Sequence, residues 1–187
     1  MPWATRVGGR RQDGAVVTTY AVVQAPFGAV TVGVVDGAVT DVRFPHADGS
    51  PAAPPDGTRA APGDDPVLHE AVRQLEAYLA GERRDFDLPL RYRGSPFRQR
   101  VWEGLRAVPY GTTATYGALA TSLGLDPRTT ARAVGAANGA NHLPIVVPCH
   151  RVIGADGTLT GFSGGIERKR ELLALEARVA SGAGTLF

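Results

Sequence analysis

Residues 115 to 139 read TYGALATSLGLDPRTTARAVGAANG, and how this stretch is parsed decides the fold. Thr115 is a suitable cap for a short helix over TYGALATSL, Gly124 ends it, and Asp126-Pro127 opens a second helix across RTTARAVGAANG. Two short helices joined by a tight glycine-containing turn make a helix-turn-helix, whose second helix can enter a DNA groove. The same pattern also fits an ordinary helical hairpin. The second helix carries Arg128 and Arg132 beside the small residues Ala131, Ala133, Gly135, Ala136 and Ala137, which would let a backbone approach closely.

Upstream, Ser95-Pro96 caps a helix whose Phe97, Val101, Trp102 and Leu105 share one face, and it stops before Pro109-Tyr110-Gly111. Asp65-Pro66 starts an earlier helix, in which Val67, Leu68, Ala71, Val72, Leu75 and Leu79 recur at helical spacing until Gly81. Residues 45–66, PHADGSPAAPPDGTRAAPGDDP, read as a flexible Pro/Gly/Ala-rich loop with almost nothing to pack. Before it, GAVTVGVVDGAVTDVRF places small apolar residues on either side of Asp36-Gly37, a dipeptide suited to a two-residue hairpin turn. The expected fold is therefore α+β. A small antiparallel sheet with a helix occupies residues 1–93, and a mainly helical domain with the helix-turn-helix occupies 94–187.

Bulk properties narrow the class. The net charge of +2 divides into −2 over residues 1–93 (10 Arg, 12 acids) and +4 over 94–187 (9 Arg and 1 Lys, 6 acids). The positive surplus thus sits in the helical half, as a nucleic-acid footprint requires, although an ordinary solvated surface has the same look. The longest apolar runs fall far short of the roughly 18 residues of a membrane helix. The N-terminal MPWATRVGGRRQDG lacks the apolar core of a secretory signal. One cysteine allows neither an internal disulfide nor a multi-cysteine zinc site. A soluble protein of the reducing cytoplasm, with no metal and no cofactor, is the expectation.

That single cysteine lies in VPCHRVI, residues 147–153, directly behind the apolar LPIVV. A reactive thiol needs a cation, a base or a helix terminus to lower its pKa from about 8.5. His150 and Arg151 supply candidates, but neighbours on an extended strand point to opposite faces, so an inert cysteine after a core strand fits equally. In the last helix, GIERKRELLALEARVA, Leu172, Leu173 and Val179 mark the apolar face, and Glu176 falls on the same side. An inward carboxylate requires a buried partner, and a histidine is a natural one; an amphipathic rim residue is the alternative. Cys149, His150 and Glu176 together make a nucleophile, a base and an orienter.

LPIVVPCHRVIG, followed by GFSGG and LLALE and preceded by SPFRQRVWEGLRAVPYGTTATYGALA and ARAVGAANGAN, resembles the O6-alkylguanine-DNA alkyltransferases, also called methylated-DNA-protein-cysteine methyltransferases. The resemblance spans roughly residues 94–180. It implies irreversible, single-use transfer of an alkyl group from O6-alkylguanine in flipped-out duplex DNA to Cys149, with O4-alkylthymine left open as a second substrate. It also implies a monomer in solution, with clustering along DNA left open. His150 would deprotonate Cys149 through a water, with Glu176 holding His150. Tyr116 would contact guanine N3, and Arg132 would replace the extruded base. Arg128, Ala131 and Gly135 would complete the DNA-facing helix, and Asn141 would fix the turn before the active-site strand. Ser163, Phe162, Gly164, Val152 and Pro144 would line the base pocket, the carbonyls of Cys149 and Val152 taking the exocyclic amine.

The chain departs from the family in places. It has no cysteines for the zinc site of several relatives, and Phe162 stands where a tyrosine is common. One residue is extra in DPRTTARAV, and Asn138 stands where other members present a larger apolar side chain to DNA. A non-catalytic lesion-binding module would keep Tyr116 and Arg132 but lack the cysteine. A cysteine hydrolase would have no use for the arginine-bearing helix, and a plain regulator no use for Cys149, His150 and Glu176.

Overall fold

A computed structural model describes residues 18–54, 57–60 and 65–182. The N-terminal stretch read above as lacking a secretory signal, residues 1–14, lies outside the described residues. Strands β1 (Thr18–Ala25), β2 (Gly28–Val35) and β3 (Ala38–Arg43) form an antiparallel meander. Asp36 and Gly37 both take positive φ, 47° and 72°, which is the geometry of a two-residue hairpin turn. All of β2 from Ala29 to Val35 is buried. A central strand covered on both faces needs no polar alternation, hence its run of small apolar residues.

The Pro/Gly/Ala-rich segment has more to pack than its composition suggests. Pro54 is buried, 3.4 Å from where a Cβ on Gly33 would stand, and Gly57–Arg59 forms β4, paired parallel to β1 in a sheet of order β3-β2-β1-β4. A strand of three residues leaves no periodicity to read. The sheet is thus antiparallel with one short parallel edge.

Helix α1 (Pro66–Leu79) packs on this sheet through Leu68, Ala71, Leu75 and Tyr78, all buried. Asp65 caps it, accepting from the amides of Val67 (2.9 Å) and Leu68 (3.1 Å), a contact worth about 1 kcal/mol. Residues 88–93 then run beside β3, with Val39 N donating to Pro89 O at 2.8 Å, and lead into α2 (Pro96–Arg106). Helices α3 (Tyr116–Ser122) and α4 (Pro127–Gly139) follow, with the turn at Gly124 (φ 68°) between them. This is the helix-turn-helix, and buried Trp102 of α2 fixes it by donating to the Ala137 carbonyl at 2.8 Å.

Residues 143–148 are buried but are not a strand. Ile145 is held at φ 74°, unusual for a β-branched residue, and Cys149–Arg151 forms one 3-10 turn. The expected active-site strand is therefore a tight turn. The chain regains extended form only at β6 (Val152–Ile153), which pairs with β5 (Ala114–Thr115) just before α3. Helix α5 (Ile166–Ala180) closes the structure over this turn.

Candidate active site

The cysteine turn is built from its hydrogen bonds. Asn141, four-percent exposed after the end of α4, accepts from Leu143 N at 3.0 Å through Oδ1. Its Nδ2 donates to Val147 O at 2.8 Å and to Cys149 Sγ at 3.1 Å. One amide therefore spans the whole of 143–149, which is how Ile145 can be kept in the left-handed region. Cys149 itself is fully buried. Burial pushes its thiol up to about 11, against the lowering effects of the Asn141 donor and of the nearby Lys169 ammonium.

Behind the thiol lies a saturated carboxylate. Glu176 is fully buried, and Oε1 is 2.9 Å from His150 Nε2. Arg151 adds Nη2 at 2.8 Å from Oε1 and Nε at 3.0 Å from Oε2, Tyr78 donates at 2.6 Å to Oε1, and Gly111 N donates at 2.9 Å to Oε2. Burial alone would raise the carboxyl pKa, but the donors from His150, Arg151 and Tyr78 outweigh it and hold the group down to about 2. Glu176 is therefore ionised and can only accept.

That fact fixes the histidine tautomer. With Glu176 accepting, His150 Nε2 carries the ring proton and Nδ1 keeps its lone pair. Nδ1 is buried and, among the described residues, has no hydrogen-bond partner, so its lone pair is unused. Burial also lowers the His150 pKa, opposed by Glu176, so the resting imidazole is neutral.

The sequence singled out Cys149, His150 and Glu176; the structure joins His150 to Glu176, while the thiol of Cys149, their neighbour in the chain, bonds Asn141. It also brings in residues that sequence reasoning missed. Tyr78 comes from α1, ninety-eight positions before Glu176, and no local pattern announces it. The sequence suggests Arg151 as a charge near the thiol, yet its guanidinium faces Glu176 and the Val108 carbonyl (2.6 Å). Lys169, buried in α5, donates to the carbonyls of Val152 and Thr160 at 2.5 and 2.6 Å. Its position beside apolar Leu172 on the inner face of α5 was the available signal.

Of the expected pocket residues, Pro144, Val152 and Gly164 are buried, Phe162 is half-buried, and Ser163 is exposed. Tyr116, at the start of α3, donates to the Thr160 carbonyl at 2.9 Å, and Gly135 of α4 passes its ring, 3.7 Å from a Cβ position. Arg128 and Arg132 are exposed on α4, and Ala131 is half-buried. Asn138 does not face outward as its place in the family suggested. It is buried, and Nδ2 donates to Gly161 O at 3.0 Å and to Cys149 O at 3.3 Å, because a helix end against two bare carbonyls needs a donor there.

Two family models match in succession. The ribonuclease-like domain of 6-O-methylguanine DNA methyltransferase matches residues 19–92, and the DNA binding domain of the same enzyme matches 96–178. The chain belongs to the 6-O-methylguanine DNA methyltransferase family. It is 45% identical over 170 residues to a methylated-DNA-protein-cysteine methyltransferase of Mycolicibacterium paratuberculosis, covering 90% of this chain and 98% of that one. A protein of the same name from Methanosarcina acetivorans is 40% identical, covering 84% and 97%. Among solved structures, Mycobacterium tuberculosis OGT in complex with DNA superposes with a TM-score of 0.71 at 42% identity, covering 86% of this chain and 94% of that one.

Proposed function

We propose that this protein repairs DNA directly, moving the alkyl group from O6 of guanine to Cys149. The observation that carries the reading is the buried Cys149 thiol, bonded by Asn141 and set beside a histidine whose free Nδ1 is enforced by ionised Glu176. The thiol proton passes to His150 Nδ1 through a bridging water, and the resulting imidazolium is stabilised by Glu176. The thiolate attacks the alkyl carbon, the S–C bond forms as the C–O6 bond breaks, and the electron pair leaves on the purine. Tyr116 donates at guanine N3 to neutralise that charge. The product is a thioether, which no base in the site can hydrolyse, so each molecule acts once.

Duplex DNA hides guanine O6 at a paired edge, so the base must leave the stack at a cost of a few kcal/mol. Exposed Arg132 on α4 takes the vacated place, with Arg128, Ala131 and Gly135 along the same helix against the groove. Ser163, Phe162, Gly164, Val152 and Pro144 line the pocket that receives the base. The Val152 carbonyl, already taking one Lys169 proton, keeps a second lone pair for the exocyclic amine. The Cys149 carbonyl serves less well, since it already accepts from Val152 N and Asn138. A division of the chain between residues 93 and 94 fits the two matched segments, and a single free thiol suits the cytoplasm.

The deciding experiment is intact mass after incubation with a duplex containing O6-methylguanine. A gain of one methylene per chain, located on Cys149 and stable on standing, is expected. Unchanged mass in folded protein overturns the reading.

A further inference from the structure

The N-terminal sheet reaches the base pocket through an aromatic row. Phe27, in the β1–β2 turn, meets Phe44 just after β3 at 5.8 Å between ring centroids, edge to face. Phe44 meets Phe162 at 5.4 Å, and Phe162 meets the His150 ring at 6.4 Å, both again near edge to face. Edge-to-face contact of this kind is favourable because the positive ring edge meets the negative ring face. The row thus links the first hairpin of the chain to the base beside the thiol.

Further contacts fasten the same joint. Arg168 of α5 lies over the Phe44 ring at 5.5 Å, donates to Gly164 O at 3.0 Å, and approaches Pro45 O at 3.4 Å. Gly164 has an ordinary φ, so its glycine identity comes from crowding. A Cβ there would stand 2.4 Å from Phe44 and 2.6 Å from Phe162. The pocket loop is therefore pressed against a side chain from the other half of the molecule.

We infer that Phe44 is a specificity-determining positioning residue: as the back wall behind Phe162 and Gly164, it sets how far the pocket loop can retreat from Cys149, and so limits the size of alkyl group transferred. This rests on Phe162 and Gly164 lining the pocket. Phe44 touches neither substrate nor thiol and acts through Phe162. Removing its ring opens space behind Phe162, which a benzyl group can exploit and a methyl group cannot.

The test uses the full chain and two duplexes of one sequence, carrying O6-methylguanine or O6-benzylguanine, and reads the ratio of the two transfer rates. Phe44→Ala should raise the benzyl-to-methyl ratio by about tenfold, the scale on which a hydrocarbon contact in an apolar pocket discriminates substrates. Phe44→Leu should raise it less, and it decides the matter if the alanine variant does not fold. Val23→Ala, a truncation buried in the same sheet, controls for general loosening and should leave the ratio at the wild-type value. An unchanged ratio in a folded Phe44 variant, or an equal rise in Val23→Ala, overturns the inference. Phe162→Ala separates the two levels. If it too leaves the ratio alone, the pocket assignment itself fails; if it shifts the ratio while Phe44 variants do not, only the role of Phe44 is lost.

Discussion

The cluster around Glu176 and the outer face of α4 both depend on arginine, in opposite ways. Arg151 is almost wholly buried, and its donors go to a carboxylate and a backbone carbonyl. Arg128 and Arg132 stand in solvent, and among the described residues their guanidinium groups meet no protein partner. The first arrangement spends its hydrogen bonds inside the fold, where losing one member strands a buried charge. The second keeps its donors free for something that arrives later. Damage to one should therefore show in stability and chemistry together, and damage to the other only when DNA is present.

The sharpest break comes at the thiol. Cys149→Ser should abolish alkyl transfer while leaving binding to damaged duplex within a few-fold, checked by mass and by gel shift; residual stoichiometric transfer would remove Cys149 from its role. Next is the contrast between specific and general reactivity. Burial pushes the thiol up to about 11, so the native chain should hold on the order of 100-fold or more fewer thiolates at neutral pH than the denatured one. Iodoacetamide should label the native chain at least that much more slowly than the denatured one, and comparable rates would mean the site is open.

Glu176→Gln tests the buried side directly. Transfer should slow by about 10- to 100-fold, and the thiol pKa read from the pH–rate profile should rise, because the imidazolium loses its counter-charge. The fold should also lose about 3–5 kcal/mol. The sign of its pH dependence follows from the lowered carboxyl pKa: the stability it confers is complete above the ordinary value of 4.5 and disappears as pH falls toward about 2. Melting curves of wild type and variant should therefore converge in that window, and parallel curves would mean the carboxylate is not ionised in the fold. Smallest in its effect on the isolated protein is Arg132→Ala, which should change stability by no more than about 0.5 kcal/mol. It should slow repair in duplex about tenfold or more relative to reaction with free O6-benzylguanine, since only the duplex needs a plug. Equal losses on both substrates would move Arg132 out of the groove and into the fold.

The same contrast governs what could be read from the sequence. Helices announce themselves by caps and periodicity, so Asp65, Ser95, Thr115 and Asp126 marked their starts at the residues that cap them. The inward turn of Glu176 followed from its spacing behind Leu172 and Leu173. Tyr78, by contrast, meets Glu176 only through the packing of α1 on the far side, and nothing within α1 distinguishes a tyrosine that packs from one that donates. Strand β4 hides in a proline-rich stretch because its three residues pair with a distant edge. The composition of LPIVV predicts a strand leading into Cys149–Arg151, while the forces that bend this stretch into a turn come from one asparagine side chain. Local signals recover elements; long-range hydrogen bonds, which finish the site, leave no local trace.

Thr160 O accepts both the Tyr116 hydroxyl and the Lys169 ammonium. Under the proposed function, a guanine that took the Tyr116 proton at N3 would leave Thr160 still served by Lys169, with no acceptor stranded in the interior. Admission of the base would then be a change of partner for one hydroxyl, made without the loop coming apart.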